Sequence, residues 1–180
     1  MLNEIKTKRL YLRPADNGTD LADYLRHLSE ADEWLFQYAE EYSEKLYNMI
    51  DFTSHLVHCY AVCEKETGRM LGYVGMLPEI EDASANIEYY IFSEYRRQGY
   101  AAEAINALTE TFFRGTLFGF SGKTVVAEVV YENDPSRKLI EKLGFTKTAV
   151  GMRMTAGGVI GLVRYQLPAP EAEQEGQTDE

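Results

Sequence analysis

With 180 residues the chain has room for one domain and a sizeable core, and none for a second catalytic domain. Its formal charge of −11 speaks against nucleic acid as the main partner, because such binding rests on neutralising phosphates, and suits a cationic acceptor such as an amine. No run of about 18 apolar residues is present, and Met1-Leu2-Asn3-Glu4-Ile5-Lys6 lacks the apolar stretch of a signal peptide, so a cytoplasmic protein without a membrane span is expected.

Arg9-Leu10-Tyr11-Leu12-Arg13 alternates and stops at Pro14, a short strand followed by a turn at Asn17-Gly18. Thr19 or Asp20 can cap a helix through about Leu28, with Leu21, Tyr24, Leu25 and Leu28 on one face. Glu30 to Tyr42, which carries Trp34, Leu35, Phe36 and Tyr38 among acids, reads as a second short helix or an aromatic loop over a cleft. Ser43 caps a further helix with Leu46, Tyr47 and Ile50 facing inward. Cys59 to Lys65 and Met70 to Leu77, joined by Glu66-Thr67-Gly68-Arg69, predict a hairpin. Cys59 and Cys63 follow His55 and His58, yet the spacing matches no usual zinc pattern, and reduced structural thiols without a metal are expected.

An acidic loop, Pro78 to Ser84, leads to the strand Ile87-Glu88-Tyr89-Tyr90-Ile91-Phe92. Tyr95-Arg96-Arg97-Gln98-Gly99-Tyr100-Ala101 then connects it to a helix from Tyr100 to about Arg114, with Ala101, Ile105, Leu108 and Phe112 on one face. The first free N–H groups of that helix point into the turn, where the macrodipole places roughly half a positive charge. Gly99 lets the backbone approach a bulky anion and Arg96 and Arg97 add full charges, so the turn is a site for a pyrophosphate. Thr124 to Val130 reads as a strand covered on both faces. Asp134, as N-cap, and Pro135, at the first helical position, start a helix that Gly144 ends. Strands at about Lys147 to Thr155 and Val159 to Leu167 meet at Ala156-Gly157-Gly158. Residues 168 to 180, with two prolines and five acids, are expected to be a disordered tail, which leaves −6 for the domain over 1 to 167. The element order predicts an α/β single domain with a mixed sheet.

Three segments together, Thr7-Lys8-Arg9-Leu10-Tyr11-Leu12-Arg13-Pro14, the Arg96-x-x-Gly99-x-Ala101 turn, and Asn133-Asp134-Pro135-Ser136-Arg137-Lys138-Leu139-Ile140-Glu141-Lys142-Leu143-Gly144-Phe145, resemble the GNAT superfamily of acetyl-CoA-dependent N-acetyltransferases. The resemblance covers about residues 7 to 167 and is closest to the branch that acetylates N-termini of ribosomal proteins. It implies a central sheet splayed between two strands and flanked by helices, with acetyl-CoA as cosubstrate and no metal. It further implies that amides of Arg97, Gln98, Gly99, Tyr100 and Ala101, with Arg96 opening the motif, hold the CoA pyrophosphate. By the same resemblance the backbone of Ile91 and Phe92 pairs with the pantetheine arm, and Asn133 bonds it or shapes its channel.

Acetyl transfer to an amine needs a neutral amine, donors for the oxyanion and a proton for the thiolate. Amides near Ile91 and Phe92 can serve the oxyanion. Ser136 stands where the resembled branch carries a hydroxyl near the sulfur, whereas many relatives use a tyrosine at the position of Ile140; the other reading of Ser136 is a helix-start hydroxyl bonding local backbone. An α-amine is about 10% neutral at pH 7 and a lysine roughly 0.04%, so an N-terminal acceptor needs little help from a base. Glu88, on one strand face with Asn86 and Tyr90, is the first candidate base, and Glu81 and Asp82 are alternatives. The expected acceptor is a protein N-terminus or a small amine. A homodimer paired through the final hairpin is a further expectation. The other class of function is a CoA-binding module without turnover, which Ile140 and Asn86 motivate.

Overall fold

Six segments of seven or more residues, some alternating apolar and polar and others apolar nearly throughout, become strands of one sheet. The computed structural model describes residues 4–16, 19, 20, 23, 26, 27, 58–155 and 158–171. The strands are β1 (Ile5–Lys6), β2 (Leu10–Pro14), β3 (His58–Glu64), β4 (Met70–Glu79), β5 (Ser84–Ile91), β6 (Thr124–Val130), β7 (Thr146–Thr155) and β8 (Gly158–Pro168). They lie in the order β1-β2-β3-β4-β5-β6-β8-β7. Among the described strands β5 and β6 alone run parallel. A parallel pair needs a long crossover, and a 3-10 turn (Ser93–Tyr95) followed by helix α1 (Tyr100–Phe113) supplies it. Helix α2 (Asp134–Lys142) links β6 to the β7–β8 hairpin.

The sheet opens where β5 meets β6. They pair over Ser84↔Thr124, Ala85↔Val125 and Asn86↔Val126 and no further. Beyond that point β5 stays with β4 up to Gly72↔Ile91, and β6 stays with β8 up to Val130↔Leu162. Each strand is held by its outer neighbour, so the two diverge and leave a gap. Gly72 keeps β4 tight on β5: a Cβ there would lie 2.0 Å from the Tyr90 carbonyl oxygen.

One sheet face carries the main core. Leu10, Leu12, Tyr60, Val62, Val74 and Met76 pack with Ile87 and Ile91 of β5, with Val125, Ala127 and Val129 of β6, and with Ala104, Ile105, Leu108 and Phe112 of α1. Burial of an aliphatic or aromatic side chain of this size contributes about 1.5–3 kcal/mol, which makes the apolar stripe, rather than helix propensity, what holds α1 in place. On the other face Cys59, Ala61, Cys63, Tyr73 and Phe92 are buried, and the Phe92 ring stacks on His27 at 3.7 Å. Both cysteines are free thiols, and burial pushes the Cys59 thiol well above its ordinary range.

Several boundaries differ from the sequence expectation for local reasons. Asp16, rather than Thr19 or Asp20, caps the first helical residues by accepting the Thr19 amide at 2.8 Å; Asp20 is buried and held by both Arg13 Nη atoms at 2.6 and 2.7 Å. Strand β4 runs through Pro78, because alternation turns the missing N–H away from β5, beyond the last β3 pair at His58↔Met76. The α2 cap is Asn133, one residue before the expected Asp134: its side-chain oxygen accepts the Ser136 amide at 3.2 Å. Strand β8 includes Pro168, and the Ala169 amide still donates to Lys123 O at 2.7 Å. The remaining expectations for Glu30–Tyr42, for the helix capped by Ser43, for His55 and for the acidic tail past residue 171 lie outside the described residues.

Candidate functional site

The gap between β5 and β6 is a cavity of about 760 Å³, and both the arginine turn and the start of α2 open into it. Its lower end is the turn. Arg97 and Gly99 both have left-handed backbone, with φ of 61° and 81°, and Gly99 is the N-cap of α1 with no side-chain cap bond. Successive turn residues of this kind aim amides inward, as an anion cradle requires. The turn is fastened from the corner between β1 and β2, which sequence reasoning did not foresee. Arg9 Nη1 donates to Gln98 O at 2.8 Å and Arg9 Nε to Glu103 Oε2 at 2.7 Å, while its guanidinium lies 4.6 Å from the Tyr100 ring centroid. Glu103 Oε1 also accepts the Arg9 amide at 2.7 Å and the Thr7 hydroxyl at 2.5 Å. Burial alone would raise the Glu103 carboxyl, but these three donors outweigh it and hold it below the usual carboxylate range. A carboxylate in the first turn of α1 would repel a phosphate, and Arg9 neutralises it.

Of the residues singled out by the sequence, Glu88, Ile91, Arg96, Arg97, Gly99, Tyr100, Ala101, Asn133 and Ser136 line this one cavity. Phe92 and Gln98 do not, and two interactions explain why. The Phe92 amide donates to Leu71 O at 2.9 Å, on the β4 side, and its ring is on the His27 face. By ladder alternation it is Ile91 whose amide faces the gap, so the expected pair of backbone donors reduces to one. Gln98 has its carbonyl bound to Arg9. Arg96 also folds back: its Nε donates to Ile91 O at 2.9 Å and its guanidinium lies 5.3 Å from the Tyr90 ring centroid. The alternative bases fall elsewhere. Glu81 and Asp82 sit in the turn before β5, at the closed end of the gap, where Asp82 Oδ1 accepts the Ser84 amide at 3.0 Å.

The upper end holds a hydroxyl pair. Ser136 Oγ and the Tyr89 hydroxyl share a hydrogen bond of 2.5 Å, so the local-backbone reading of the serine hydroxyl is not what the structure contains. Burial pushes the Tyr89 phenol up to about 12, against a smaller lowering by Ser136. Tyr89 had the signature of a packing residue, since it alternates with Ile87 and Ile91; only the fold brings it to Ser136, 47 residues on. Ile140, at the family's tyrosine position, is fully buried in the core.

The cavity passes through the sheet. Tyr89 and Ser136 stand on the helix side, whereas Glu88 shares the opposite face with Glu128 and Arg164, the latter two being register partners. A long diphosphate thioester can therefore lie from the turn to the hydroxyl pair, with a second substrate entering from the other face. The fold thus presents a split sheet open on both faces, with an amide-lined turn at one end of the gap and a hydroxyl pair at the other.

The GNAT acetyltransferase domain model matches residues 9–146, and the chain belongs to this family. No curated protein sequence matches it. Among solved structures it is similar to one from Vibrio cholerae proposed to be a ribosomal-protein-serine acetyltransferase, at 23% identity and TM-score 0.70 over 93% of this chain and 99% of that one. It is similar also to the Salmonella typhimurium acetyl transferase that modifies the N-terminal serine of ribosomal protein L7/L12, at 18% identity and TM-score 0.74, covering 93% of this chain and all of that one. A ribosomal L7/L12 α-N-protein acetyltransferase in complex with coenzyme A matches at 18% identity and TM-score 0.69 over 92% of this chain and 98% of that one. At such identities the likeness speaks for the fold. No helix of the described residues is long and apolar enough to cross a membrane.

Proposed function

We propose that the protein is an N-acetyltransferase that moves the acetyl group of acetyl-CoA to a primary amine by direct attack in a ternary complex. The observation that carries this reading is the single cavity shared by the arginine turn and the Tyr89–Ser136 pair. The residues fit the cosubstrate: the α1 N-terminus lacks a side-chain cap, and Arg97 stands beside it to meet a pyrophosphate. Asn133 spends its side-chain oxygen on capping α2, which leaves its amide group for the pantetheine channel.

In the reaction the amine nitrogen bonds to the acetyl carbonyl carbon and the carbon–sulfur bond breaks. The Ile91 amide supports the oxyanion. The proton lost by the amine passes to Glu88, directly or through water. The leaving thiolate accepts a hydrogen bond from the Ser136 hydroxyl, itself hydrogen-bonded to Tyr89, and becomes the thiol by taking a proton from solvent. The acceptor is a protein N-terminus or a small amine, and an α-amine suits a site with one carboxylate base because its proton is lost near neutral pH.

Release of free thiol from acetyl-CoA tests this against N-terminal peptides, polyamines and amino acids. Acceptor-dependent thiol with at least one of them is expected. Saturable binding of coenzyme A with no acceptor-dependent thiol across the panel would make the protein a CoA-binding module instead.

A further inference from the structure

The acceptor-side mouth of the cavity is flanked by two carboxylates in very different company. Glu88 of β5 and Glu128 of β6 are each two residues beyond the last β5–β6 pair, Asn86↔Val126, and on the same sheet face. They therefore stand on opposite walls where the gap begins to widen, at least about one strand spacing, or 5 Å, apart. Glu128 is shared by two arginines: Arg153 Nη2 lies 2.5 Å from its Oε2 and Arg164 Nη1 lies 3.3 Å from its Oε1. Register places all three on one face, since Glu128 pairs with Arg164 and Arg153 pairs with Ile160, two β8 positions on from Leu162. All three line the same cavity as Glu88 and Ser136.

Two guanidiniums on one carboxylate give this cluster one positive charge in excess, with the Asp82 carboxylate acting on Arg164 from the turn before β5, in a chain whose total is −11. As a strut the cluster is poor, because the arginine side chains are 42% and 44% exposed and ion pairs so solvated add little to stability. Each guanidinium has five N–H donors in a planar fork, and each gives Glu128 one hydrogen bond, so donors remain for a second carboxylate. We infer that Arg153 and Arg164 form an acidic-group subsite for the acceptor: the amine is a molecule that also carries a carboxylate a few bonds away, as in an α-amino acid or a peptide with Asp or Glu in its first two residues. Glu128 positions the two arginines, and Glu88 on the facing wall receives the ammonium end. This rests on the acetyl-transfer reading for the identity of the acceptor, but not for its test.

The test is calorimetry on the full chain saturated with coenzyme A, using product-like pairs that differ in one group: N-acetyl-glutamate dipeptides against the matching N-acetyl-glutamine dipeptides, and N-acetyl amino acids against their amides. The acid member is expected to bind at least about tenfold more tightly. Arg164→Gln and Arg153→Gln should each shrink that ratio, the double variant should bring it near one, and Arg164→Lys should keep part of it. Glu128→Gln releases both guanidiniums and should raise the ratio; a purely structural network would give only a lower melting temperature. Equal binding of acid and amide, no binding of either, or a ratio untouched by the arginine variants overturns the subsite. Failure of the transfer reading shows separately, as coenzyme A binding without acceptor-dependent thiol release. The peptide and amino-acid arms tell which source of carboxylate the site takes.

Discussion

Tyr89 and Ser136 show how a single contact changes the chemistry assigned to a residue. A serine hydroxyl alone is a weak proton source, and a phenol pushed up to about 12 by burial is weaker than the thiol it would protonate, whose ordinary value is near 8.5. In the proposed reaction the pair would therefore act chiefly by donating a hydrogen bond to the thiolate as charge develops, and a leaving group this good needs only modest help. Tyr89→Phe and Ser136→Ala are each expected to lower kcat by roughly 100-fold, the low end for a positioned acid, with the KM for acetyl-CoA nearly unchanged. The double variant should cost little more than either single one, because the two hydroxyls work as one donor chain. The Tyr89 proton stays on across the whole working range, so any loss of kcat between pH 6 and 10 must come from other groups; a limb in that range that disappears in Tyr89→Phe would contradict the assignment. Ser136 was legible through a motif that lies in one helix. Tyr89 was not, because its alternation with Ile87 and Ile91 is that of any core strand and its partner lies on a distant element.

The elements themselves were legible wherever the hydrophobic period was strong. Helix α1 begins at Tyr100, as its spacing predicts, and the splay follows from the resemblance; what escaped was the fastening between elements. Glu103 looks like an ordinary acid in a first helical turn, yet it ties α1 to the β1–β2 corner through Thr7 and Arg9, more than 90 residues away in sequence. Because its folded carboxyl is held below its unfolded value, the stabilisation is fully present above the unfolded value, near 4.3, and is lost as pH falls through the lower folded one. Replacing Glu103 by Gln weakens bonds to a charged acceptor, costing about 1–2 kcal/mol, so the melting temperature at pH 7 should drop by roughly 2–8 °C. The difference from the unaltered protein should shrink as pH is lowered past about 4, where both carry a neutral side chain. A gap that persists at low pH would mean that Glu103 acts through packing and not charge. The same variant should raise the KM for acetyl-CoA more than it lowers kcat, since freeing Arg9 loosens the Gln98–Gly99 turn without touching the hydroxyl pair.

At the scale of the molecule the main tension is between overall charge and site charge. A chain of formal charge −11 repels a polyanion at long range, but that field is screened over about 8–10 Å at ordinary ionic strength, whereas the turn acts at contact distance. On the proposed reading, amides of a left-handed turn, the α1 dipole and Arg97 would together outweigh the repulsion, with Arg96, turned back to Ile91 O, fixing the end of β5. Arg97→Glu replaces an attraction with a repulsion in the turn itself, and it should weaken coenzyme A binding by at least about 30-fold if each charge-assisted contact is worth 1.5–3 kcal/mol. Binding only to the folded state raises stability by about 2.7 kcal/mol at a hundred times the dissociation constant, or roughly 5–11 °C in a chain of this length. Coenzyme A at that excess should therefore shift the melting temperature of the unaltered protein by this amount, and the same concentration should shift Arg97→Glu by no more than about 2–3 °C. The variant's own melting temperature without ligand should stay close to the original, because Arg97 lies on an exposed turn outside the core. Equal ligand shifts in the two proteins would mean that the diphosphate sits elsewhere in the gap, and the orientation of thioester and acceptor across the split sheet would then have to be reversed.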